Sequence, residues 1–282
     1  MRLLHGRPLA ERLAARSRER SRALLGRDVH PALAAISVGI DPAANTYLQR
    51  LVRGGKAVGI AIRDISLPRD ATERAVIAEL DRASRDRSLH GILLLTPLPG
   101  KLDEGHLVDH IAAPKDVEGV NPYNVGLLLD GRPQFVPSTA EAIIELLRFH
   151  EIRLAGADVV VVGRSTVVGR PAAALLLSED ATVTIAHKST NDVGALTRRA
   201  AIVVVAVGRA GFLTGDMISQ GATVIDAGIN MTPAGIAGDV DADSVATVAG
   251  ALSPVPGGVG TVTTALLLRN VLTAAETQTA GG

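Results

Sequence analysis

Hydrophobic residues follow two alternating rhythms along this chain. Residues 8–25 carry leucines and alanines at helical spacing with arginines on the remaining face, which predicts an amphipathic helix. Leu33 to Val38 is a short unbroken apolar run closing on Gly39, which predicts a strand; Asp41 and Pro42 then cap a helix running to about Val58 and carrying Tyr47. Ala57 to Ile65 predicts a further strand, Thr72 to Arg85 a helix, and Gly91 to Leu95 a strand broken by Thr96-Pro97-Leu98-Pro99. This β-α-β-α-β order predicts a parallel sheet with helices on both faces and ligands outside the carboxyl ends of its strands. His106 to Ile111 reads as a short helix. Lys115 to Gly126 is polar and turn-rich, and too long for a mere connector.

The same rhythm returns after a junction near Pro137 to Ala140. A helix over Ala140 to Arg148 leads into Val159 to Pro171, VVVVGRSTVVGRP, where four valines empty into a glycine, a polar turn and a second glycine. The valines suit a strand buried on both faces. Gly163 permits a sharp turn, and Gly169 lets a helix start approach the strand or a bound phosphate, with free backbone N–H groups and the positive dipole end facing outward. The dinucleotide fingerprint has three glycines, and only its first and last are here, with Ser165 near the second position. A strand over Thr182 to Ala186 ends in His187-Lys188-Ser189-Thr190, where an NAD-binding domain offers an acidic group to the ribose. Basic and hydroxylic residues there, with Arg164 in the turn, predict a 2′-phosphate partner and hence NADP. Ile202 to Val207, Ala222 to Asp226 and Thr247 to Ala249 predict further strands, each followed by glycine. Pro254 to Gly260 forms a rigid and then permissive loop before a helix from Thr263.

Composition narrows this picture. A chain of 282 residues with 47% hydrophobic content predicts two domains, each with its own core, and 2% aromatics make those cores aliphatic. The expected fold is α/β: two α/β domains with a cleft as the default site, the first over 1–138 and rejoined by the C-terminal helix at about 263–282, the second a Rossmann-like domain over 139–262. Equal counts of 29 acidic and 29 basic residues argue against nucleic-acid or membrane-surface partners. There is no cysteine, which excludes disulfides and thiolate chemistry, and the histidines show no metal-ligand spacing, so no metal is expected. The opening segment lacks a signal peptide's apolar core, and no apolar run has the length of a membrane span, which reads as cytoplasmic.

Motifs spread over nearly the whole chain resemble the FolD family of bifunctional methylenetetrahydrofolate dehydrogenase/cyclohydrolases. They are DPAANTY around Tyr47, GILLLTPLP at Gly91 to Pro99, PKDVEG and NPYNVG at Pro114 to Gly126, GRSTVVGRP at Gly163 to Pro171, VAVGRAGFLTGD at Val205 to Asp216, VIDAGIN at Val224 to Asn230, GDVD at Gly238 to Asp241 and PVPGGVG at Pro254 to Gly260. The resemblance implies a folate-type N-terminal domain, an NADP-binding Rossmann domain and a homodimer. It also implies hydride transfer from a methylene bridge to give a methenyl cation, then hydrolysis to a formyl group.

Several positions depart from the family pattern. The family's Tyr-x-x-x-Lys places an acid/base lysine one helical turn from the tyrosine, but here Tyr47 is followed by Leu51. The glutamine that supports that lysine falls on Leu95, and the pterin-binding aspartate on Glu118. Cys-Thr-Pro near the junction becomes Ser138-Thr139-Ala140, and Gly-Pro-Met-Thr becomes Gly260-Thr261-Val262-Thr263. Lysine is scarce in this chain, with Lys56, Lys101, Lys115 and Lys188 its four examples, yet drift toward arginine does not yield two leucines. Arg50 stays protonated and cannot act as a base. The expectation is an NADP-dependent dehydrogenase with its cyclohydrolase activity lost. Alternatives are a paralogue acting on another cyclic amine or imine, and a non-catalytic folate- or nucleotide-binding relative. Expected at the chemistry are Tyr47, Leu51 and Leu95; at the substrate Tyr47, Glu118, Pro256, Gly257, Gly258 and Thr263. Expected at the cofactor are Gly163, Arg164, Ser165, Val168, Gly169, His187, Lys188, Ser189, Val207, Gly208, Gly228 and Ile229. Asp116 is expected to hold its loop.

Overall fold

Alternating apolar strands and amphipathic helices assemble into two separate parallel sheets in a computed structural model that describes residues 1–39, 41–233 and 235–280, and of Ala43 the backbone. In chain order the elements are β1 (Arg2–Leu3), α1 (Arg7–Leu25), β2 (Ala32–Val38), α2 (Pro42–Val58), β3 (Ala61–Leu67), α3 (Glu73–Arg85), β4 (Gly91–Leu94), α4 (Glu104–Val108), α5 (Pro122–Leu129) and α6 (Ser138–Phe149). They continue as β5 (Asp158–Val162), α7 (Gly169–Ser178), β6 (Thr182–Ala186), α8 (Val193–Thr197), β7 (Ile202–Val205), β8 (Thr223–Asp226), β9 (Asn230–Thr232), β10 (Gly235–Ala237), α9 (Ala242–Ala246), β11 (Ala251–Leu252) and α10 (Val259–Thr279). Contacts divide the chain into one unit of Met1–Glu11 with Pro137–Thr263 and another of Arg12–Val136 with Thr264–Gly282, of which residues 281–282 lie outside the described part.

The unit built around residues 12–136 holds the three-stranded parallel sheet β3-β2-β4. Strand β2 lies in its centre and is buried along nearly its whole length, as its unbroken apolar run requires. Edge strand β3 alternates, with Arg63, Asp64 and Ser66 among its polar residues. One face of the sheet meets α3 in a cluster that includes Ile36, Val76, Leu80 and Ile92. The other gathers Leu33, Leu51, Leu93, Leu95 and Phe135 with Leu267, Leu268, Val271 and Leu272 of α10.

The unit built around residues 137–263 carries a six-stranded parallel sheet in the order β1-β11-β8-β7-β5-β6. Its registers pair Val162 with both Ala186 and Val205, and Val205 with Asp226. Four strands therefore end at one level, and the residues that follow them, Gly163, His187, Ala206 and Ala227, line a single edge. Strand order reverses at β5, whose neighbours β6 and β7 come from opposite directions of winding, which is the switch point where α/β sheets bind ligands.

Several local expectations are corrected. Helix α2 runs through Val58, so the strand expected from Ala57 begins only at Ala61. The helix expected over His106 to Ile111 starts earlier, at Glu104, because the Asp103 carboxylate accepts from the Gly105 N–H and fixes the start. Only the last part of the polar segment Lys115 to Gly126 becomes helix, opening α5, with Asn121 accepting from the Tyr123 N–H and Pro122 at the first helical position. Thr247 to Ala249 follows α9 as a turn; the strand is Ala251–Leu252, where β11 pairs with β8 on one side and β1 on the other. The β9–β10 hairpin was unexpected.

Candidate functional site

At the carboxyl edge of the six-stranded sheet, the glycines answer to backbone contacts. Gly163 has φ +127°, and a Cβ there would meet the Ala206 carbonyl oxygen at 2.2 Å. A Cβ on Gly169 would meet the Gly163 carbonyl oxygen at the same 2.2 Å. Both distances are far inside van der Waals contact, so the turn closes only with hydrogen at these two positions.

The free N–H groups expected at the start of α7 are not free. Ser165 Oγ accepts from the N–H groups of Val168 and Gly169 at 3.2 and 3.3 Å, its carbonyl accepts from Arg170 at 3.0 Å, and Pro171 has no N–H to give. A serine in place of the fingerprint's middle glycine thus caps the helix from within the turn. Arg164, Ser165 and Lys188 are exposed beside this edge, and Ser189 with them. His187 organises its own turn: its Nδ1 accepts from the Ser189 N–H, and its N–H donates to Thr190 Oγ1.

Two aspartates that sequence reasoning left without a role shape the rest of the edge. Asp239, fully buried, accepts from the N–H groups of Val207, Gly208 and Arg209 at 2.6 to 2.9 Å and from Asn230 Nδ2 at 2.8 Å. Asp226, at the end of β8, accepts from the N–H groups of Gly228, Asp239 and Val240. Burial pushes the Asp226 carboxyl up to about 6, against the lowering effect of those three donors. Gly228 is needed because a Cβ there would fall 2.2 Å from Asp239 Cγ. Val207 and Ile229 are left on the surface, 36% and 62% exposed. The signal for these aspartates was in the sequence: a carboxylate ending an otherwise apolar strand has to find donors in the loops beyond it.

The loop Pro254 to Gly260 packs on the chain's first turn. Gly6 donates to the Gly257 carbonyl, and a Cβ on Gly6 would lie 2.3 Å from the Gly258 oxygen. Gly257 has φ +112°, Pro256 is exposed, and the Ile229 side chain lies against Gly260. Thr263 Oγ1 donates back to the Val259 carbonyl within α10.

In the other unit, Tyr47 and Leu51 lie one turn apart on α2. Leu51 is wholly buried and Leu95 nearly so, at 0% and 4% exposure, and both belong to the aliphatic cluster against which Tyr47 packs. Burial raises the Tyr47 hydroxyl well above the usual tyrosine range, and the charge of Glu118 raises it further. Tyr47 therefore stays neutral at any working pH and offers a hydrogen-bond donor and a ring face. Glu118, half-buried, follows a tightly held segment: the Val117 carbonyl accepts from Asn270 Nδ2 of α10 at 2.9 Å, and Gly119 has φ +67° with the Phe135 carbonyl 2.5 Å from where a Cβ would be. Lys115 buries its ammonium on the carbonyl oxygens of Ala83 and Asp86 and takes no part in this face. Among the described residues no helix is long and apolar enough to cross a membrane.

Comparison with known proteins places these two parts in context. Residues 137–279 match the model of the tetrahydrofolate dehydrogenase/cyclohydrolase NAD(P)-binding domain, and residues 4–118 that of the corresponding catalytic domain. The chain is 50% identical over 274 residues to the Bifunctional protein FolD of Nocardia farcinica (strain IFM 10152), covering 97% of each. Its fold is similar to that of the bifunctional FolD of Campylobacter jejuni, with a TM-score of 0.96 at 36% identity over 98% of this chain and 99% of the other. It is also similar to a Trypanosoma brucei methylenetetrahydrofolate dehydrogenase-cyclohydrolase solved with NADP cofactor and an inhibitor, with a TM-score of 0.91 at 35% identity over 98% and 97%.

Proposed function

The chain belongs to the tetrahydrofolate dehydrogenase/cyclohydrolase family, and on that premise we propose that it oxidises methylenetetrahydrofolate to the methenyl cation with NADP, while its hydrolytic step is much weakened. Hydride transfer needs the cofactor and the carbon donor held in register, since the nicotinamide supplies the chemistry when bound. The chain's own part is to hold them. In this reading Gly163, Val168, Gly169, Gly208 and Gly228 shape the cofactor edge, Val207 and Ile229 give it apolar contact, and Arg164, Ser165, His187, Lys188 and Ser189 take the ribose phosphate. Tyr47 and Glu118 meet the folate ring system, with Pro256, Gly257, Gly258 and Thr263 as further substrate positions.

The observation that carries the reading is the burial of Leu51 and Leu95 in one aliphatic cluster beside Tyr47. Both positions where the family pattern has polar groups are occupied by side chains that cannot move a proton. Losing a positioned acid/base group costs about two to four orders of magnitude in rate. A second reading, favoured by the same two leucines and by the extra methylene of Glu118, keeps NADP and changes the carbon–nitrogen substrate to another cyclic amine. The homodimer and the cytoplasmic location implied by the resemblance are proposals of the same standing.

A single assay tests the reading: protein is mixed with methylenetetrahydrofolate and NADP while reduced cofactor and methenyl product are followed separately. Both are expected to rise together, with methenyl then decaying only at its rate in buffer. Protein-dependent loss of methenyl would defeat the claim about hydrolysis. NADP binding without turnover would favour the second reading, and failure to bind NADP would defeat both.

A further inference from the structure

Asp116 lies two residues before Glu118 and is fully buried, in backbone register with Ile92 of β4. Its Oδ2 accepts from the Asn121 N–H and from Asn124 Nδ2, both at 2.8 Å. Asn124 Nδ2 gives its second hydrogen to the Ala113 carbonyl at 3.0 Å, which fixes the amide's orientation, because the flipped amide would set oxygen against oxygen. Among the described residues, two buried side-chain oxygens then have no hydrogen-bond partner: Asp116 Oδ1 and Asn124 Oδ1. They belong to the two groups already joined on their other side. Two orphaned acceptors in one buried pair are costly unless a hydrogen sits on one of them.

We propose that Asp116 keeps its proton on Oδ1 and donates it to Asn124 Oδ1, closing a cyclic acid–amide pair that positions the segment carrying Glu118. A carboxylic acid and a carboxamide are planar and complementary, each offering one donor and one acceptor side by side. Burial favours the neutral form, while hydrogen bonds from Asn124 and from the backbone N–H groups of Asn121, Val120 and Gly119 oppose it. The charged groups of this segment face elsewhere: Lys115 is bonded to Ala83 and Asp86 carbonyls, and the Glu118 charge acts on Tyr47. The Asn121 N–H just ahead of α5 and Asn124 within it bond the pair, and the backbone N–H groups of Gly119 and Val120 also act on the carboxyl. Asp116 is a positioning residue, acting through Glu118.

The test has two arms, and only the second rests on the dehydrogenase reading. In protein labelled with carbon-13 at the aspartate carboxyls, one signal at pH 8 is expected at the protonated position, although an ordinary aspartate titrates near a pKa of about 3.9. It should vanish in Asp116→Asn. Finding every aspartate ionised at pH 8, as for a carboxylate that had drawn water onto the two oxygens, would overturn the proposal even if no variant folded. In the kinetic arm, Asp116→Asn rebuilds the ring as an amide pair and should keep the KM for methylenetetrahydrofolate within about twofold. Asp116→Ala should raise that KM about tenfold, the size of one buried hydrogen bond lost, with the KM for NADP unchanged. An Asn variant as impaired as the Ala variant, or equal rises in both KM values, would also overturn it.

Discussion

The nucleotide edge and the Tyr47 face are built from different materials. The edge is made of backbone: Gly163 and Gly169 close the turn at distances no side chain tolerates, and Asp226 and Asp239 bind seven donors, six of them backbone N–H groups. The Tyr47 face is made of side chains mounted on α2 and on the end of β4, with aliphatic packing behind them. A backbone site cannot change a residue without rebuilding its turn. A side-chain site can exchange a polar pair for leucines and keep its fold, which is how the proposed function reads residues 51 and 95.

The sharpest way to break this contrast is Gly163→Ala. Its Cβ would enter the Ala206 carbonyl at a positive φ, so a loss on the order of 4 kcal/mol is expected, read as a fall in melting temperature and loss of NADP binding. A fully folded, NADP-binding variant would show the turn to be more pliant than its geometry.

Leu51→Lys probes the other face. An unpaired ammonium in the aliphatic cluster should cost about 3 kcal/mol, measured by urea unfolding, and adding Leu95→Gln should recover part of that cost and some methenyl hydrolysis. A neutral outcome would mean the cluster already admits water.

Asp226 gives the edge a dependence on pH. Its folded-state value near 6 lies above the ordinary aspartate value, so the native state binds this proton more tightly than the unfolded chain does. Its contribution is therefore fully present below about pH 4 and is lost as pH rises to about 6, by roughly 2–3 kcal/mol. Urea midpoints across that range should show the fall in the wild type and a flatter profile in Asp226→Asn; parallel profiles would remove Asp226 as the cause.

Arg164→Ala and Lys188→Ala, both exposed, should each weaken NADP binding by about tenfold while leaving NAD binding unchanged and the fold intact. Equal losses for both nucleotides would point to a general charge effect.

Legibility followed the same division. Strand ends and glycines could be read because a buried parallel strand must be apolar throughout and a tight turn must empty its side chains. The expected boundaries of β6 and α2 coincide with the observed ones. What escaped was structure held by distant partners. Strand β1 has two residues and no pattern of its own. Helix α5 hid in a polar stretch because its cap, Asn121, and the buried Asn124 look like loop residues until Asp116 supplies their partner. The capping role of Ser165 was masked by reading it only as a missing glycine. Leu51 and Leu95 were legible as positions, but their shared cluster needed the fold.

The pairing of β1 with β11 also sets a schedule for synthesis. Arg2 and Leu3 leave the ribosome well before their partners Ala251 and Leu252. The other unit waits as well, since its core takes Leu267, Leu268, Val271 and Leu272 from α10. Neither half can complete its sheet or its core until those residues have been made. Until then the partly made protein carries an open sheet edge and bare aliphatic surface, the condition in which chains depend on chaperones.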